Sequence, residues 1–459
     1  MEKRDSQRKV RMALIGAGTV ANYGHLPAMT RNPDIELVGV ADLSKYRLAK
    51  VKEKFGVPGT TDYHKFLRMR DLDAVSICTP VDSHRIIAEE SLKAGKHVFC
   101  EKPLASTIQD CWSIVDTVRE TGLVFAVDLH LRLSDDIIAV KKHLSAGDLG
   151  RLEILRFVMN WACHGTKGKM GQRRAAFMRV GGPIVDNGVH FFDLVRWLSG
   201  SEIGKMWSEG QWVEEEFGYP GHVISVSRLE SGVLALVEMS FVFGHKTKDL
   251  PSSSRIEVIG SEGVVTNGIL YTPKGHLQLP SSSGKRFDRA YAEFVSCVQK
   301  GSMEKSPLAG AYDGAKATEA ALRALEIALK NKPWWLAVDG DVHLHRHGGR
   351  PIVGRGARRG QRSYRVYHVK ALNNPAEDHE RVLEVVEVGV VLEVDEELAA
   401  RRAGEARVVG VSGPCHRNCV FQILQRRVLP WYVLSRPARS VSIGVSSLDQ
   451  RALDNSVEG

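Results

Sequence analysis

The stretch VRMALIGAGTVA, residues 10–21, decides the fold. Its apolar first half predicts a buried strand, and its second half follows the spacing G-x-G-x-x-[GA] where a helix should begin. Gly16 permits the tight turn, Gly18 lets the backbone approach a pyrophosphate, and Ala21 is small enough for the helix to pack on the strand. Because a helix N-terminus attracts anions, we expect the phosphates of a dinucleotide here. The predicted contacts are Gly16, Gly18, Thr19 and Val20.

A carboxylate follows this turn at the distance expected for a ribose ligand. Asp42 closes the second predicted strand, at the ~20-residue offset at which an acid binds the ribose 2′-hydroxyl. An acid at this position repels a 2′-phosphate, so NAD is favoured as the cofactor. NADP remains an alternative cofactor because two basic residues, Lys45 and Arg47, follow Asp42 closely in the sequence. The alternative is that Asp42 only caps a helix that begins near Ser44.

Short apolar runs alternate with helix-length segments up to about residue 130. The predicted strands of this region are residues 10–16, 36–42, 73–79, 97–101 and 124–130. The alternation predicts an α/β fold, with a doubly wound Rossmann domain over residues 9–131. Longer alternating runs, a Ser231-Gly232 turn and a closing helix at residues 311–330 predict an α+β domain over 132–335. Its sheet should be open and mostly antiparallel.

The composition changes after Pro333. Lys370 is the only later lysine, while arginines cluster between Arg355 and Arg365. The sequence therefore predicts an atypical tail over residues 336–459, solvated or disordered, or acquired by fusion or a shifted reading frame. One alternative is that these arginines bind nucleic acid or an acidic protein.

Composition and charge limit the remaining classes of protein. The chain has 459 residues, 43% of them hydrophobic, and a net charge of +9. No apolar run approaches the ~18 residues of a membrane span, and the N-terminus lacks a secretory apolar core, so we expect a cytoplasmic location. The basic residues before the tail are interleaved with acids, which argues against nucleic acid as a partner. The seven cysteines are expected as thiols, and no spacing matches a zinc signature, so no metal is predicted.

Two further strand ends should lie at the same edge of the sheet as the glycine turn. Thr79 and Pro80 end one strand and His84 opens the next helix, so all three are predicted to line the cofactor groove. Glu101 and Lys102 follow the next strand and are expected beside the cofactor. Lys102 could donate to a substrate hydroxyl, or relay a proton if burial lowers its pKa. The alternatives are routine strand-exit residues and a surface lysine paired with its neighbour.

The segment GGPIVDNGVHFFD, residues 181–193, carries the remaining chemistry. Asp186 and His190 are four apart, so on one helix they would share a face and meet one substrate. His190 suits proton removal from an alcohol, and the carboxylate could raise its basicity and hold a substrate oxygen. The alternative is a core histidine. Substrate contacts are expected from the loop at residues 160–179, whose basic residues hint at an acidic sugar.

These motifs in this order resemble the Gfo/Idh/MocA oxidoreductases, the glucose–fructose oxidoreductase and inositol dehydrogenase family. The matching segments are GAGTVA (16–21), CTPVDSH (78–84), AGKHVFCEKPLA (94–105) and GGPIVDNGVHFFD (181–193). The resemblance implies a sugar, polyol or cyclitol substrate and a homo-oligomer formed through the sheet of the second domain. By position, Lys102, Asp186 and His190 match the family's catalytic triad, and Asp42 matches its ribose-binding acid.

The resulting hypothesis is reversible hydride transfer between a nicotinamide and a secondary alcohol carbon, with the protein handling the proton. His190 is the expected general base, Lys102 polarises the oxygen or relays its proton, and Asp186 orients the hydroxyls. One alternative is a relative that uses transient oxidation for glycosidic cleavage or dehydration, in which NADH would not accumulate. Another is an NAD-binding regulator without turnover.

Overall fold

The computed structural model describes residues 8–161, 180–212, 218–242, 250–281 and 284–332, together with the strands of the last third of the chain. The chain divides into two compact units, residues 1–332 and 333–459. The predicted substrate loop, with His164, Lys167, Arg173 and Arg174, lies almost entirely outside the described residues.

The first sheet of the larger unit is parallel over six strands. These are β1 (Val10–Ile15), β2 (Ile35–Ala41), β3 (Gly59–Thr60), β4 (Ala74–Ile77), β5 (His97–Cys100) and β6 (Phe125–Val127). They lie in the order β6-β5-β4-β1-β2-β3, as in a doubly wound sheet. Alternate residues of β1 belong to two cores, since Met12 and Leu14 pack in one and Ala13 and Ile15 in the other. The predicted Rossmann fold is confirmed.

Helices connect these strands. They are α1 (Leu26–Arg31), which follows a π-helical turn at Ala21–His25, α2 (Lys45–Phe55), α3 (His64–Leu67), α4 (His84–Lys93) and α5 (Ile108–Thr121). The hydroxyls of Ser44 and Thr107 cap α2 and α5 by accepting backbone N–H bonds. Both helices end at a glycine in the left-handed conformation, Gly56 and Gly122. Within the described ranges, no helix combines the length and apolarity that crossing a membrane requires.

The second sheet has eight strands and is mostly antiparallel. They are β7 (Leu152–Asn160), β8 (Ile203–Gln211), β9 (His222–Leu229), β10 (Leu234–Ser240), β11 (Ser253–Gly260), β12 (Val264–Thr266), β13 (Ile269–Thr272) and β14 (Gly275–Gln278). Their order is β14-β13-β12-β11-β7-β10-β9-β8, and only β7 and β10 pair in parallel. The predicted turn at Ser231-Gly232 joins β9 to β10, with Gly232 at φ +89°.

Among the described residues, five further α-helices belong to the larger unit. They are α6 (Asp135–Ser145), α7 (Gly182–Asp186), α8 (Gly188–Ser199), α9 (Arg286–Lys300) and α10 (Ala311–Lys330). Helices α7, α8 and α10 pack on one face of the second sheet. The opposite face exposes large apolar side chains, among them Trp207 and Ile224. The α+β character predicted for this region is confirmed, and α10 has the predicted bounds.

The chain returns to the first sheet after the second sheet is complete. Tyr291 and Phe294 of α9 are fully buried in the core that contains Met12 and Leu14. The strand β15 (Ala309–Gly310) then pairs antiparallel with β6 at the edge of the parallel sheet. The sequence-based division at residue 131 therefore omits two elements that pack on the first sheet, and the division itself stays a prediction.

The smaller unit contains paired strands. A three-stranded antiparallel sheet is formed by β16 (Gln361–Leu372), β17 (Val382–Glu393) and β18 (Arg407–Ser412), and β19 (Cys419–Phe421) pairs with β20 (Tyr432–Leu434). These paired strands differ from the solvated or disordered extension that the sequence predicts. Of the clustered arginines, Arg362 and Arg365 lie in β16, whereas Arg355, Arg358 and Arg359 lie outside the described residues.

Candidate active site

The turn after β1 has the geometry that a bound dinucleotide requires. Gly16 adopts φ +99°, and a Cβ at this position would lie 2.5 Å from the carbonyl oxygen of Cys78, so only glycine fits. A Cβ on Gly18 would meet no described atom within 4 Å, which leaves its backbone open to a ligand. Thr19 is exposed and Val20 is half-buried at the start of the helix. These residues fit the phosphates of a dinucleotide.

Asp42 lies beside this turn and is held by two backbone amides. Its Oδ2 accepts a hydrogen bond from the Ala17 N–H, and its Oδ1 accepts one from the Ser44 N–H, both at 2.8 Å. The alternative that Asp42 caps α2 is wrong, because Ser44 is the capping residue. Each carboxylate oxygen keeps a second lone pair for a ribose hydroxyl. Arg47 lies 3.6 Å from Oδ2, so a cation does stand near this position.

The residues after β4 differ in what they could contact. Thr79 is half-buried and Pro80 is exposed at the same edge of the sheet as Gly16. His84 is 1% exposed, and each of its ring nitrogens lies 3.0 Å from a carbonyl oxygen, that of Thr79 or that of Pro103. Its predicted place in the cofactor groove is therefore corrected. The buried ring bridges the ends of two strands and has no nitrogen left for a cofactor.

Lys102 and Asp186 converge from segments 84 residues apart. The Lys102 Nζ donates to the Asp186 backbone carbonyl at 2.7 Å and to Oδ1 at 3.0 Å. Both side chains are largely buried, at 15% and 9% exposed. The alternative of a surface lysine paired with its chain neighbour is wrong, because the partner is this distant aspartate.

The expectation that burial would lower the pKa of Lys102 is also corrected. Burial does act in that direction, but the carboxylates of Asp186 and Glu101 outweigh it, so the pKa of Lys102 is raised. The side chain is therefore a lasting ammonium group, suited to donate a hydrogen bond to an oxygen rather than to relay a proton.

Glu101 points away from the groove. Its Oε1 lies 2.8 Å from His25 Nε2, and its Oε2 accepts the Lys102 backbone N–H at 3.0 Å. His25 is fully buried, and its Nδ1 lies 2.7 Å from the hydroxyl of Tyr291. Glu101 therefore contacts His25 and accepts a hydrogen bond from the Lys102 backbone. Its predicted contact with the cofactor is corrected.

Asp186 and His190 do not share one continuous helix. Asp186 ends α7, Asn187 adopts φ −105°, and α8 begins at Gly188. Gly181 at φ +110° and Pro183 start α7, which accounts for the short first helix. The predicted i, i+4 geometry is therefore broken at Asn187, although both side chains reach the same region.

His190 is buried and carries an altered pKa. Burial lowers its pKa well below 6.5, and the neighbouring His130, Lys102 and Arg286 lower it further. Asp186 does not raise its basicity as expected, because that carboxylate is bound by Lys102. Among the described residues, His190 Nδ1 has no hydrogen-bond partner. The ring is thus a neutral imidazole close to a buried ammonium group.

A second histidine, which the sequence did not single out, lies against His190. The ring centroids of His130 and His190 are 5.0 Å apart. His130 Nδ1 lies 3.0 Å from Oδ1 of Asp128, which directly follows β6. The sequence did contain a signal for these two residues. Asp128 and His130 follow a parallel strand, at the sheet edge that carries Asp42, Thr79 and Lys102.

Family models match both halves of the larger unit. Residues 10–129 match the oxidoreductase family with an NAD-binding Rossmann fold, and residues 137–266 match the Gfo/Idh/MocA C-terminal domain. Together the two matches cover more than half of the 459 residues. The tail lies outside both matches.

Similar proteins agree with these matches. The chain is 28% identical to a myo-inositol 2-dehydrogenase of Thermotoga maritima over 262 residues (55% of this chain, 74% of the relative). It is 27% identical to the scyllo-inositol 2-dehydrogenase (NAD(+)) of Bacillus subtilis over 322 residues (66% and 89%).

Solved structures share the fold. One is a scyllo-inositol dehydrogenase of Lactobacillus casei with bound NAD(H) and scyllo-inositol, at TM-score 0.59 and 21% identity over 71% of this chain and 98% of that one. Another is a myo-inositol 2-dehydrogenase of Lactobacillus plantarum, at TM-score 0.60 and 20% identity over the same shares. With its glycine turn and both family domains in order, the chain belongs to the Gfo/Idh/MocA family of NAD-binding oxidoreductases.

Proposed function

We propose that the protein transfers a hydride between NAD and a secondary alcohol of a sugar, polyol or cyclitol. The observation that carries the proposal is the buried Lys102–Asp186 ion pair beside the neutral imidazole of His190. An ammonium donor and an uncharged base close to each other are what removal of a hydroxyl proton requires. The inositol dehydrogenases among the similar proteins support the substrate class.

Residues at the edge of the first sheet would hold the cofactor. The backbone at Gly16 and Gly18 would bind the phosphates, Asp42 would accept from the ribose hydroxyls, and Thr79 and Pro80 would line the groove. Bound NAD would supply the hydride acceptor. The carboxylate of Asp42 favours NAD over NADP. Because the cation of Arg47 lies near this carboxylate, the binding experiment includes NADP as well.

The protein's own share is proton transfer and orientation. His190 takes the proton of the reacting hydroxyl, because its low pKa keeps the ring unprotonated near neutral pH. Lys102 donates a hydrogen bond to the same oxygen and stabilises the negative charge that develops on it. Asp186 fixes the ammonium group by accepting its hydrogen bond and orients the substrate hydroxyls. In the reverse direction, protonated His190 returns the proton.

Titration followed by a substrate screen tests the proposal. NAD and NADP are titrated calorimetrically, and inositols, aldoses and uronic acids are then screened by the near-ultraviolet absorbance of NADH. We expect NAD to bind more tightly and at least one cyclitol or sugar to reduce it. Lys102→Met and His190→Asn should each lower turnover by about 10²–10⁴-fold. The matched controls are Lys93→Met and His64→Asn, whose side chains are 63% and 48% exposed on the surface.

The outcomes separate the alternatives. Conversion of the substrate without accumulated NADH would indicate transient oxidation, as in glycosidic cleavage or dehydration. Tight NAD binding with no conversion of any compound would favour a regulator. Wild-type turnover in both site variants would refute the assigned roles.

We also propose that the open face of the second sheet forms a homo-oligomer interface. Trp207 and Ile224 are 57% and 40% exposed on adjacent strands, and large exposed apolar side chains of this kind mark association surfaces. Light scattering should give more than one chain per particle, and Trp207→Glu should shift the mass toward a monomer. A monomeric wild type would refute this interface. A cytoplasmic location stays a prediction.

A further inference from the structure

A histidine and an aspartate outside the predicted triad form a hydrogen-bonded pair next to His190. His130 Nδ1 lies 3.0 Å from Asp128 Oδ1, and the Asp128 side chain is fully buried. Burial opposes the charge of this carboxylate, yet His130 above all, and then His25 and Glu101, hold its pKa below its usual value. The carboxylate is therefore charged, and it selects the His130 tautomer with hydrogen on Nδ1. In that tautomer of the neutral ring, the nitrogen that can accept a proton is Nε2.

The surroundings of His190 make a captured proton unstable there. The ring is buried, and the positive charges of Lys102 and Arg286, together with that of His130 when it is protonated, lower its pKa. In the part of the chain that the structure describes, its Nδ1 has no hydrogen-bond partner, so no carboxylate at that nitrogen stabilises an imidazolium. A proton taken from substrate must leave this residue before the next turnover.

The His130 ring is the neighbour able to receive that proton. It lies 5.0 Å from His190 between ring centroids, and no hydrogen bond joins the two rings among the described residues, so a transfer would pass through a single water. The side chain of His130 is 15% exposed, so it can pass a proton to solvent. Phe287 packs on the ring at 4.7 Å between centroids and adds no charge. The carboxylate that His130 contacts is that of Asp128.

We propose that His130, oriented by Asp128, relays the proton from His190 to solvent. The inference rests on the proposed function. The substrate O–H bond breaks and His190 gains the proton, while the hydride leaves from carbon to the cofactor. His190 then gives a proton to Nε2 of His130, whose Nδ1–H remains bonded to Asp128, and His130 releases it to water. The net products are the ketone, the reduced cofactor and one proton.

The tautomer can be measured in the cofactor-free protein. Long-range ¹H–¹⁵N spectra of the histidine rings, assigned with His130→Asn, should show His130 protonated on Nδ1. Asp128→Asn should abolish this preference. The pair Asp62 and His64 serves as a matched control, since its Nδ1–Oδ1 distance is 2.9 Å on the exposed surface. An Nε2–H tautomer of His130 in the wild type would overturn the proposal.

Kinetics test the relay itself. His130→Ala should lower kcat about a hundredfold, at the lower end of the effect of a positioned proton-transfer group, with an unchanged KM for NAD. Added imidazole should restore the rate, and kcat should rise with buffer concentration. His130→Asn keeps a donor for Asp128 but carries no proton, so it should lose as much as the alanine variant. His64→Ala should match the wild type.

The possible failures are distinct. Wild-type kcat in His130→Asn would show a purely structural role and overturn the relay, while hydride transfer by the wild type would leave the proposed function intact. A loss in both variants that neither imidazole nor buffer relieves would also overturn it. An inactive wild type would instead refute the proposed function, and the relay with it.

Discussion

Replacing Lys102 with methionine separates the stability of the ion pair from its role in turnover. The substitution leaves Asp186 with a buried charge that no longer has its cation, which commonly costs about 3–5 kcal/mol. We expect the lower end, about 3 kcal/mol, because both side chains keep slight exposure and one of the two Nζ hydrogen bonds goes to a neutral carbonyl. For the unit of residues 1–332, that corresponds to a melting temperature lower by about 4 °C, because the entropy of unfolding grows with chain length.

The assay is a double-mutant cycle with Asp186→Asn, followed by thermal unfolding and by turnover. The double variant should lose less stability than the sum of the single variants, by about 1–2 kcal/mol, because residues in contact couple. Turnover should fall in all three variants, whereas Lys102→Arg should keep the stability and recover part of the rate. Single effects that add to within about 0.3 kcal/mol would refute the ion pair as an energetic unit.

Four further substitutions test the site and its supports. Gly16→Ala forces a Cβ into the backbone at Cys78, which follows the neighbouring strand β4, and should abolish NADH binding and lower the melting temperature. Gly18→Ala should weaken binding, measured by NADH fluorescence, without loss of stability. For His190 the folded-state pKa lies below 6.5, so the unfolded chain takes up a proton that the folded chain does not. Wild-type stability should therefore fall more steeply than that of His190→Gln as pH drops from about 7.5 to 5, and parallel curves would contradict this. Asp193 is fully buried and accepts two hydrogen bonds from Arg132, at 2.7 and 2.5 Å. Asp193→Asn should lower the free energy of unfolding by about 3 kcal/mol, measured with denaturant. An unchanged denaturation midpoint would argue against a stabilising Arg132–Asp193 pair.

Local patterns predicted the elements that are defined by nearby residues. The glycine turn depends on one tight approach at Gly16, and the helix Ala311–Lys330 depends on an alanine- and leucine-rich face, so both were found with their correct bounds. The family motifs likewise located Lys102, Asp186 and His190. Whether these side chains act as predicted depends on distant neighbours, which a local pattern does not contain.

The corrections have this common cause. The pKa of Lys102 is raised because a carboxylate 84 residues away meets it, and burial alone suggested the opposite direction. His130 was overlooked because the last strand of the first domain was expected to run to residue 130. The strand ends at Val127, so Asp128 and His130 lie beyond the strand, at the edge of the sheet. The helix α9 has a clear apolar face, but nothing in its own sequence says that this face returns to the first sheet.

The return of α9 and β15 has a consequence for synthesis on the ribosome. Tyr291 and Phe294 fill the core beneath Met12 and Leu14, and Ala309–Gly310 completes the edge of the sheet beside β6. A nascent chain that has emerged only to residue 131 therefore lacks part of the interior of its first domain. That domain must wait, incompletely packed, until some 180 more residues leave the exit tunnel. Folding of the two halves is thus linked in time, and a chain truncated before residue 286 would expose the apolar surface that α9 covers.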